Sequence, residues 1–212
     1  MKHIFFKVLI LLILFFCFIS VSAYSYVANV SSDISESVFR LHVIANSDSD
    51  EDQSLKYKVR DRLLDYMNNL CSDTKTKEEA MQIANNNLEQ FKEIADGVIK
   101  ENGYNYLVDV SISKTDFPTK TYGDIVLPAG NYDALNVKIG SSSGHNWWCV
   151  MFPPLCFVDV SSGIVPEESK EVLNESLDTE SYDLITNNNS SMNFKFKLVE
   201  FFQNMKMKVA SK

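Results

Sequence analysis

An α+β fold follows from three observations: a mainly antiparallel sheet, two consecutive amphipathic helices packed on one of its faces, and a C-terminal helix. Apolar residues alternate from Phe39 to Ala45, from Tyr106 to Ser113 and again beyond Phe117. Two stretches of helical period separate the first two of these runs, and no internal repeat or long linker divides the chain.

In the first strand Phe39, Leu41, Val43 and Ala45 alternate with Arg40, His42 and Ile44, the pattern of a strand with one face in a core. The residues before it, Asp33 to Ser37, read as a polar lead-in. Asn46 to Asp52 ends the strand. Asp48, Asp50 and Asp52 stand at alternate positions, but a calcium loop counted from Asp48 needs glycine where Gln53 stands and glutamate where Val59 stands. The fitting alternative is an acidic helix start, with an aspartate as cap. Leu55, Val59, Leu63, Met67 and Leu70 then form one helical stripe. Thr76 and Glu79 make a capping box, and Ala80 to Ile99 keep the helical period until Asn102-Gly103 stops it.

The second strand covers Tyr106 to Ser113. Beyond Phe117-Pro118, the segments Lys120 to Leu127 and Tyr132 to Ile139 read as a hairpin reversing through Pro128-Ala129-Gly130-Asn131. After a flexible Ser141 to Gly144 loop comes an apolar stretch broken at Pro153-Pro154, which holds both tryptophans. Burying a tryptophan removes about 150–250 Å² from water, roughly 4–6 kcal/mol gross, so Trp147 and Trp148 need covering. Strand alternation sends them to opposite faces, one to the core and one to the surface or an interface. From Ser161 the composition turns polar, with Pro166 opening a short helix and Asn187 to Ser191 a break. Phe194, Leu198, Phe201, Phe202 and Met205 recur at helical spacing in a last amphipathic helix, although Phe194 to Leu198 also alternates like a strand.

At the other end, Lys2, His3 and Lys7 precede an uncharged run from Val8 to Ala23. Residues 1–23 read as an export signal. Val21-Ser22-Ala23 offers a cleavage site, while Tyr24 to Val30 prolong the apolar stretch as an uncleaved anchor would; both readings stand, and both place the rest of the chain outside the cytoplasm. The whole chain carries 20 basic and 28 acidic residues, and losing Lys2 and Lys7 leaves 18 against 28, a net charge of −10. Nucleic acid is therefore excluded as a partner, and membrane contact is confined to the N-terminal segment.

No cofactor, metal site or catalytic set emerges. The Gly-x-Ser-x-Gly, His-Glu-x-x-His, phosphate-loop and dinucleotide patterns are missing. His145 and Cys149 would share a face only on a helix, and His42 with Asp48 or Asp52 is the remaining hydrolytic pair to test. Cys149 and Cys156 either close a disulfide, contributing about 2.5 kcal/mol in the chain-entropy model, or remain buried thiols. Without a catalytic set, the reading shifts to recognition by contact. Tyr122, Tyr132, Trp147, Trp148 and Phe152 are the aromatic anchor candidates, with burial in the core as the alternative. His42, Asn46, Asp48 and Asn146 are the polar candidates beside them.

Several motifs carry a resemblance. Arg40-Leu-His-Val-Ile-Ala-Asn-Ser-Asp-Ser, Phe117-Pro-x-Lys-x-Tyr, Leu127-Pro-Ala-Gly-x-Tyr-x-Ala-Leu and Gly144-His-Asn-Trp-Trp-Cys-Val-Met-Phe-Pro-Pro-Leu-Cys occur in this order. Together they resemble the stage II sporulation protein R family of endospore-forming Firmicutes, with a composition of clostridial character. The resemblance covers a domain over residues 34–160 and leaves 161–212 as a polar tail ending in the amphipathic helix. It implies a non-enzymatic signal exported by the forespore into the space between its membrane and that of the mother cell. There, the resemblance implies, such a protein activates a membrane-embedded aspartic protease of the mother cell, which processes the sigma E precursor. A cell-wall hydrolase acting in the same space is the rival reading.

Overall fold

The computed structural model describes residues 2–156, 165–186, 195–197, 199–203 and 205, with side chains from Ile4 onward. Its first element, α1 (Lys2–Ser37), is one uninterrupted helix that runs from the exposed apolar segment into the body of the domain. Its N-terminal part is long and apolar enough to cross a membrane. Val27, Val30 and Ile34, on its C-terminal part, are buried in the core, so the polar lead-in expected at Asp33 to Ser37 is instead the last turns of this helix. The i, i+3, i+7 spacing of those three residues overrides the polar composition.

The sheet contains β1 (Phe39–Ile44), β2 (Val108–Phe117), β5 (Gly130–Ile139) and β6 (Asn146–Phe152), in the order β2-β5-β1-β6. β2 with β5 and β1 with β6 are antiparallel, while β1 and β5 run parallel. β1 is therefore central, and both its faces are covered. Leu41 and Val43 point toward the helices, and Arg40 and His42 are buried on the other side. The one-faced strand expected from alternation becomes a two-faced one, because the polar residues find aromatic and amide partners.

Between β1 and β2 lie α2 (Asp50–Leu70), α3 (Lys77–Asn86) and α4 (Leu88–Glu101). Ser49 caps α2 by accepting a hydrogen bond from the Asp52 N–H, so the cap is a serine and not an aspartate. The single second helix expected from periodicity is two, interrupted at Asn87. The Asn87 amide donates back to the Ile83 carbonyl and accepts from the Tyr66 hydroxyl, competing locally with the helical backbone ladder. Thr76 caps α3 as expected, accepting from the Glu79 N–H.

The hairpin through Pro128 to Asn131 is not formed. Instead β3 (Lys120–Tyr122) pairs with β4 (Ile125–Leu127), reversing at Gly123, whose φ of 56° suits glycine. Pro128 and Ala129 serve as a corner: the Tyr132 hydroxyl donates to the Pro128 carbonyl, and Ala129 N–H donates to Thr119 Oγ1. β5 then pairs with β2 on one side and β1 on the other.

Residues 165–186 of the polar tail form two helices. α5 (Glu167–Ser176) starts after Pro166, and α6 (Thr179–Thr186) follows it; Leu173, Leu177, Leu184 and Ile185 are buried. Asp33 accepts from the Asp178 N–H and Ser37 donates to the Ser176 carbonyl, joining this unit to α1. The break expected at Asn187 to Ser191, and Phe194 and Leu198 of the last helix, lie outside the described residues. Helical backbone does run through residues 195–197 and 199–203, with Val199 buried and Phe201 exposed.

Candidate functional site

On the sheet face turned away from α2 to α4, Arg40 is fully buried within an aromatic cage. Its guanidinium carbon lies 4.0 Å from the Phe117 ring centroid and 4.6 Å from that of Tyr132. Nη2 donates to the Tyr122 hydroxyl at 2.6 Å, and that hydroxyl donates in turn to the Trp148 carbonyl. Burial pushes the Tyr122 phenol up and the guanidinium opposes it; Tyr132, fully buried, is pushed up to about 12. Both phenols stay protonated. Arg40 thus ties the β3–β4 hairpin to the sheet edge.

His42 stacks on Trp148 with centroids 3.9 Å apart and planes 11° apart. Its Nδ1 lies 3.1 Å from Asn136 Oδ1 and its Nε2 2.8 Å from Asn146 Oδ1. The Asn136 amide nitrogen donates to Ser113 Oγ and the Ala134 carbonyl, which orients its oxygen to accept from His42 Nδ1–H; the neutral ring then takes the Asn146 amide nitrogen as donor to Nε2, with that side-chain amide turned over. Burial pushes the imidazole below its ordinary value against the two amide contacts, so the ring is neutral. Its contacts are amides rather than Asp48 or Asp52, so the hydrolytic pair is not assembled.

Asn46 and Asp48 hold two loops together. Asn46 accepts from Ser141 and Ser143 through its carbonyl and from Ser141 N–H through Oδ1, while its amide donates to Asp52. Asp48 accepts from the His145 backbone N–H at 2.6 Å and pairs with its ring. Asp52 turns inward: burial raises its carboxyl, but hydrogen bonds from Ser47, Asn46 and Tyr106 outweigh this and hold it below the usual range. The loops fit closely, since a Cβ on Gly144 would stand 2.2 Å from the Ser47 carbonyl oxygen. The two sequence motifs around Asn46 and Gly144 are therefore halves of one joint.

The tryptophans do face opposite ways, yet both are half-buried. Trp147 lies beneath Arg60 of α2, whose guanidinium carbon is 4.2 Å from its ring centroid, and meets the edge of Tyr57. Trp148 packs against His42 and Phe117. Cys149 and Cys156 form a disulfide with Cα atoms 5.7 Å apart, so Cys149 is no free nucleophile for His145. Of the aromatic candidates, Tyr132 and Phe152 are core residues and Tyr122 is nearly so; Asn146, Trp147 and Trp148 reach the surface.

Where β6 begins, a groove of about 510 Å³ opens between Trp147, Trp148 and Asn146 on one side and Lys120 and Tyr122 of β3 on the other, with Lys56 and His145 at its end. Sequence reasoning missed both lysines. Lys56 sits between Leu55 and Tyr57 on an otherwise charged helix and looks solvated; only the burial of its neighbour Leu55 on the core stripe hinted otherwise.

The family model for stage II sporulation protein R matches residues 35–162, which span the sheet, α2 to α4 and the groove. The chain belongs to the stage II sporulation protein R family. A curated member of the family, stage II sporulation protein R of Bacillus subtilis (strain 168), is 41% identical over 138 residues, covering 65% of this chain and 62% of that relative. The chain thus matches less than two thirds of the relative's length. No solved structure matches significantly.

Proposed function

We propose that this chain is an exported sporulation signal that acts by docking: it activates a membrane-embedded aspartic protease of the mother cell, leading to processing of the sigma E precursor. The observation that carries this reading is membership of the stage II sporulation protein R family across the whole sheet-bearing domain. The site chemistry supports it. His42 is kept neutral by burial and is engaged by two amides, Asp48 is engaged by His145, and Cys149 is cross-linked, so the groups that would make a hydrolase are used as structural partners. The apolar part of α1 supports export, with the domain in the space between forespore and mother cell. An activator that only binds must favour the active arrangement of its target by differential affinity.

The test is a sporulating strain lacking this chain, complemented with the full chain or with one lacking residues 1–23. Sigma factor processing should require the full chain. Normal processing in the strain without it refutes the reading. Release of peptidoglycan fragments by the purified protein would support a wall hydrolase instead.

A further inference from the structure

Lys56 is 1% exposed, and the hydrogen-bond acceptors it meets are neutral: Gln53 Oε1 at 2.5 Å and the His145 carbonyl at 3.0 Å. A buried ammonium without a carboxylate is unfavourable in isolation. Its position at the end of the β6–β3 groove gives that unfavourable charge an outlet. Lys120, on the opposite wall, has no ion-pair partner among the described residues. Arg60 lies next to the groove over Trp147, paired with Asp61, so the free positive charge is that of Lys56 and Lys120. Among the described residues no carboxylate lines the groove, although Asp48, paired with His145, is close enough to act on Lys56. The chain as a whole carries a net charge of −8, so this concave basic patch is opposite in sign to the molecule as a whole.

The aromatic residues around the groove narrow the class of ligand. A sugar ring binds by lying flat on an open aromatic face. Here Arg60 covers a face of Trp147, with Tyr57 edge-on beside it, and His42 covers a face of Trp148. What the groove presents is positive charge, along with the Asn146 amide on its exposed rim. β6 is also the last strand of the sheet among the described residues; the Tyr122 hydroxyl occupies its Trp148 carbonyl, which leaves the start of the strand, at Asn146, as the part that a short extended segment can lie beside.

We propose that the groove between the start of β6 and β3 binds an extended acidic peptide segment of the protein's partner, with Lys120 making contact at the rim and Lys56 supplying positive potential from beneath. The proposal rests on the docking function above and names the chemistry of the docked segment. With a net charge of −8 the molecule as a whole disfavours an acidic ligand, so such a ligand is favoured where the sign is reversed.

The test uses the full chain in detergent micelles and fluorescence anisotropy of a labelled peptide of alternating Glu and Thr, beside the same peptide with Gln for Glu. The acidic peptide should bind, weaken as salt rises and lose about tenfold in affinity with Lys120→Glu. Lys120→Arg should retain binding. Lys100→Glu, exposed on α4 away from the groove, should not change it. Lys120 is half-exposed on a two-stranded hairpin, and near-ultraviolet circular dichroism of the tryptophans reports whether the variants remain folded. Equal binding of the Gln peptide, indifference to Lys120→Glu, or preference for soluble peptidoglycan fragments over the acidic peptide overturns the proposal. In sporulating cells, Lys120→Glu should fail to restore processing. If the strain without the chain fails to process and Lys120→Glu restores it fully, the groove is wrong and the docking function survives; if the strain without the chain processes normally, the docking function is wrong.

Discussion

Reducing the Cys149–Cys156 bond isolates one cross-link in a domain whose packing is otherwise unchanged. The two residues are seven apart in sequence, and closing so short a loop removes about 2.5 kcal/mol of chain entropy from the unfolded state. Cys149 is buried on β6 beside β1, and Cys156 follows the Pro153-Pro154 turn, so both thiols stay in place after reduction and little else is lost. Equilibrium urea unfolding of the full chain in micelles, with and without a strong thiol reductant, should shift the midpoint by the equivalent of about 2–3 kcal/mol at unchanged slope. Replacing both cysteines by alanine should cost more than reduction, since sulfur burial is lost as well, and that variant should no longer respond to reductant. A shift under about 0.5 kcal/mol on reduction, or a reductant effect persisting in the alanine pair, would refute the assignment of this stability to the cross-link.

Other consequences can be measured directly. Gly144→Ala drives a methyl into the Ser47 carbonyl and should cost about 1–3 kcal/mol in the same unfolding assay, because the clash is with backbone that cannot rotate away. Lys77→Met severs a buried ion pair to Asp133 and a hydrogen bond to the Ser35 carbonyl at the end of α1; Asp133 retains Lys114, so the loss should lie near about 3 kcal/mol, read from the same curves. The depressed imidazole of His42 makes stability pH-dependent. The unfolded chain takes up a proton below its ordinary value of about 6.5 and the folded ring resists it, so stability is complete above about pH 6.5 and falls, at up to about 1.4 kcal/mol per pH unit, as pH drops toward the folded value. His42→Asn should flatten that slope. The low carboxyl of Asp52 also favours the folded state at neutral pH, and its contribution is lost only in a separate, more acidic window, as pH falls below the ordinary carboxylate range.

How much was legible depended on whether the deciding partner was near in sequence. Alternation marked β1 correctly, and the stripe from Leu55 to Leu70 marked α2. That Arg40 and His42 would also be buried depended on Phe117, Tyr122, Tyr132 and Asn136, brought together by strand order, which no local period encodes. The break at Asn87 had a readable signal in three consecutive asparagines, Asn85 to Asn87, inside a helical run, the last of which bonds back to Ile83 through its side chain. At the hairpin, the proline and glycine after Leu127 outweighed Gly123, although the tighter reversal belongs to Gly123. Opposite orientations for Trp147 and Trp148 followed from the strand period alone. The assignment of one to the core and one to the surface failed, because α2 supplies Arg60 and Tyr57 to cover Trp147.

Since α1 continues without interruption from its apolar stretch to Val27, Val30 and Ile34 in the core, it would act, where residues 1–23 stay attached and inserted, as a stiff mast rather than a tether. A flexible linker would let the domain tumble above the bilayer. A helix advancing about 1.5 Å per residue instead sets one height and one tilt, held at its base by Asp33, Ser35 and Ser37. While the mast is intact, the lipid-facing and outward-facing sides of the domain are fixed. A receptor in an opposing membrane would meet the same aspect at every encounter, with less orientational searching before the two fit.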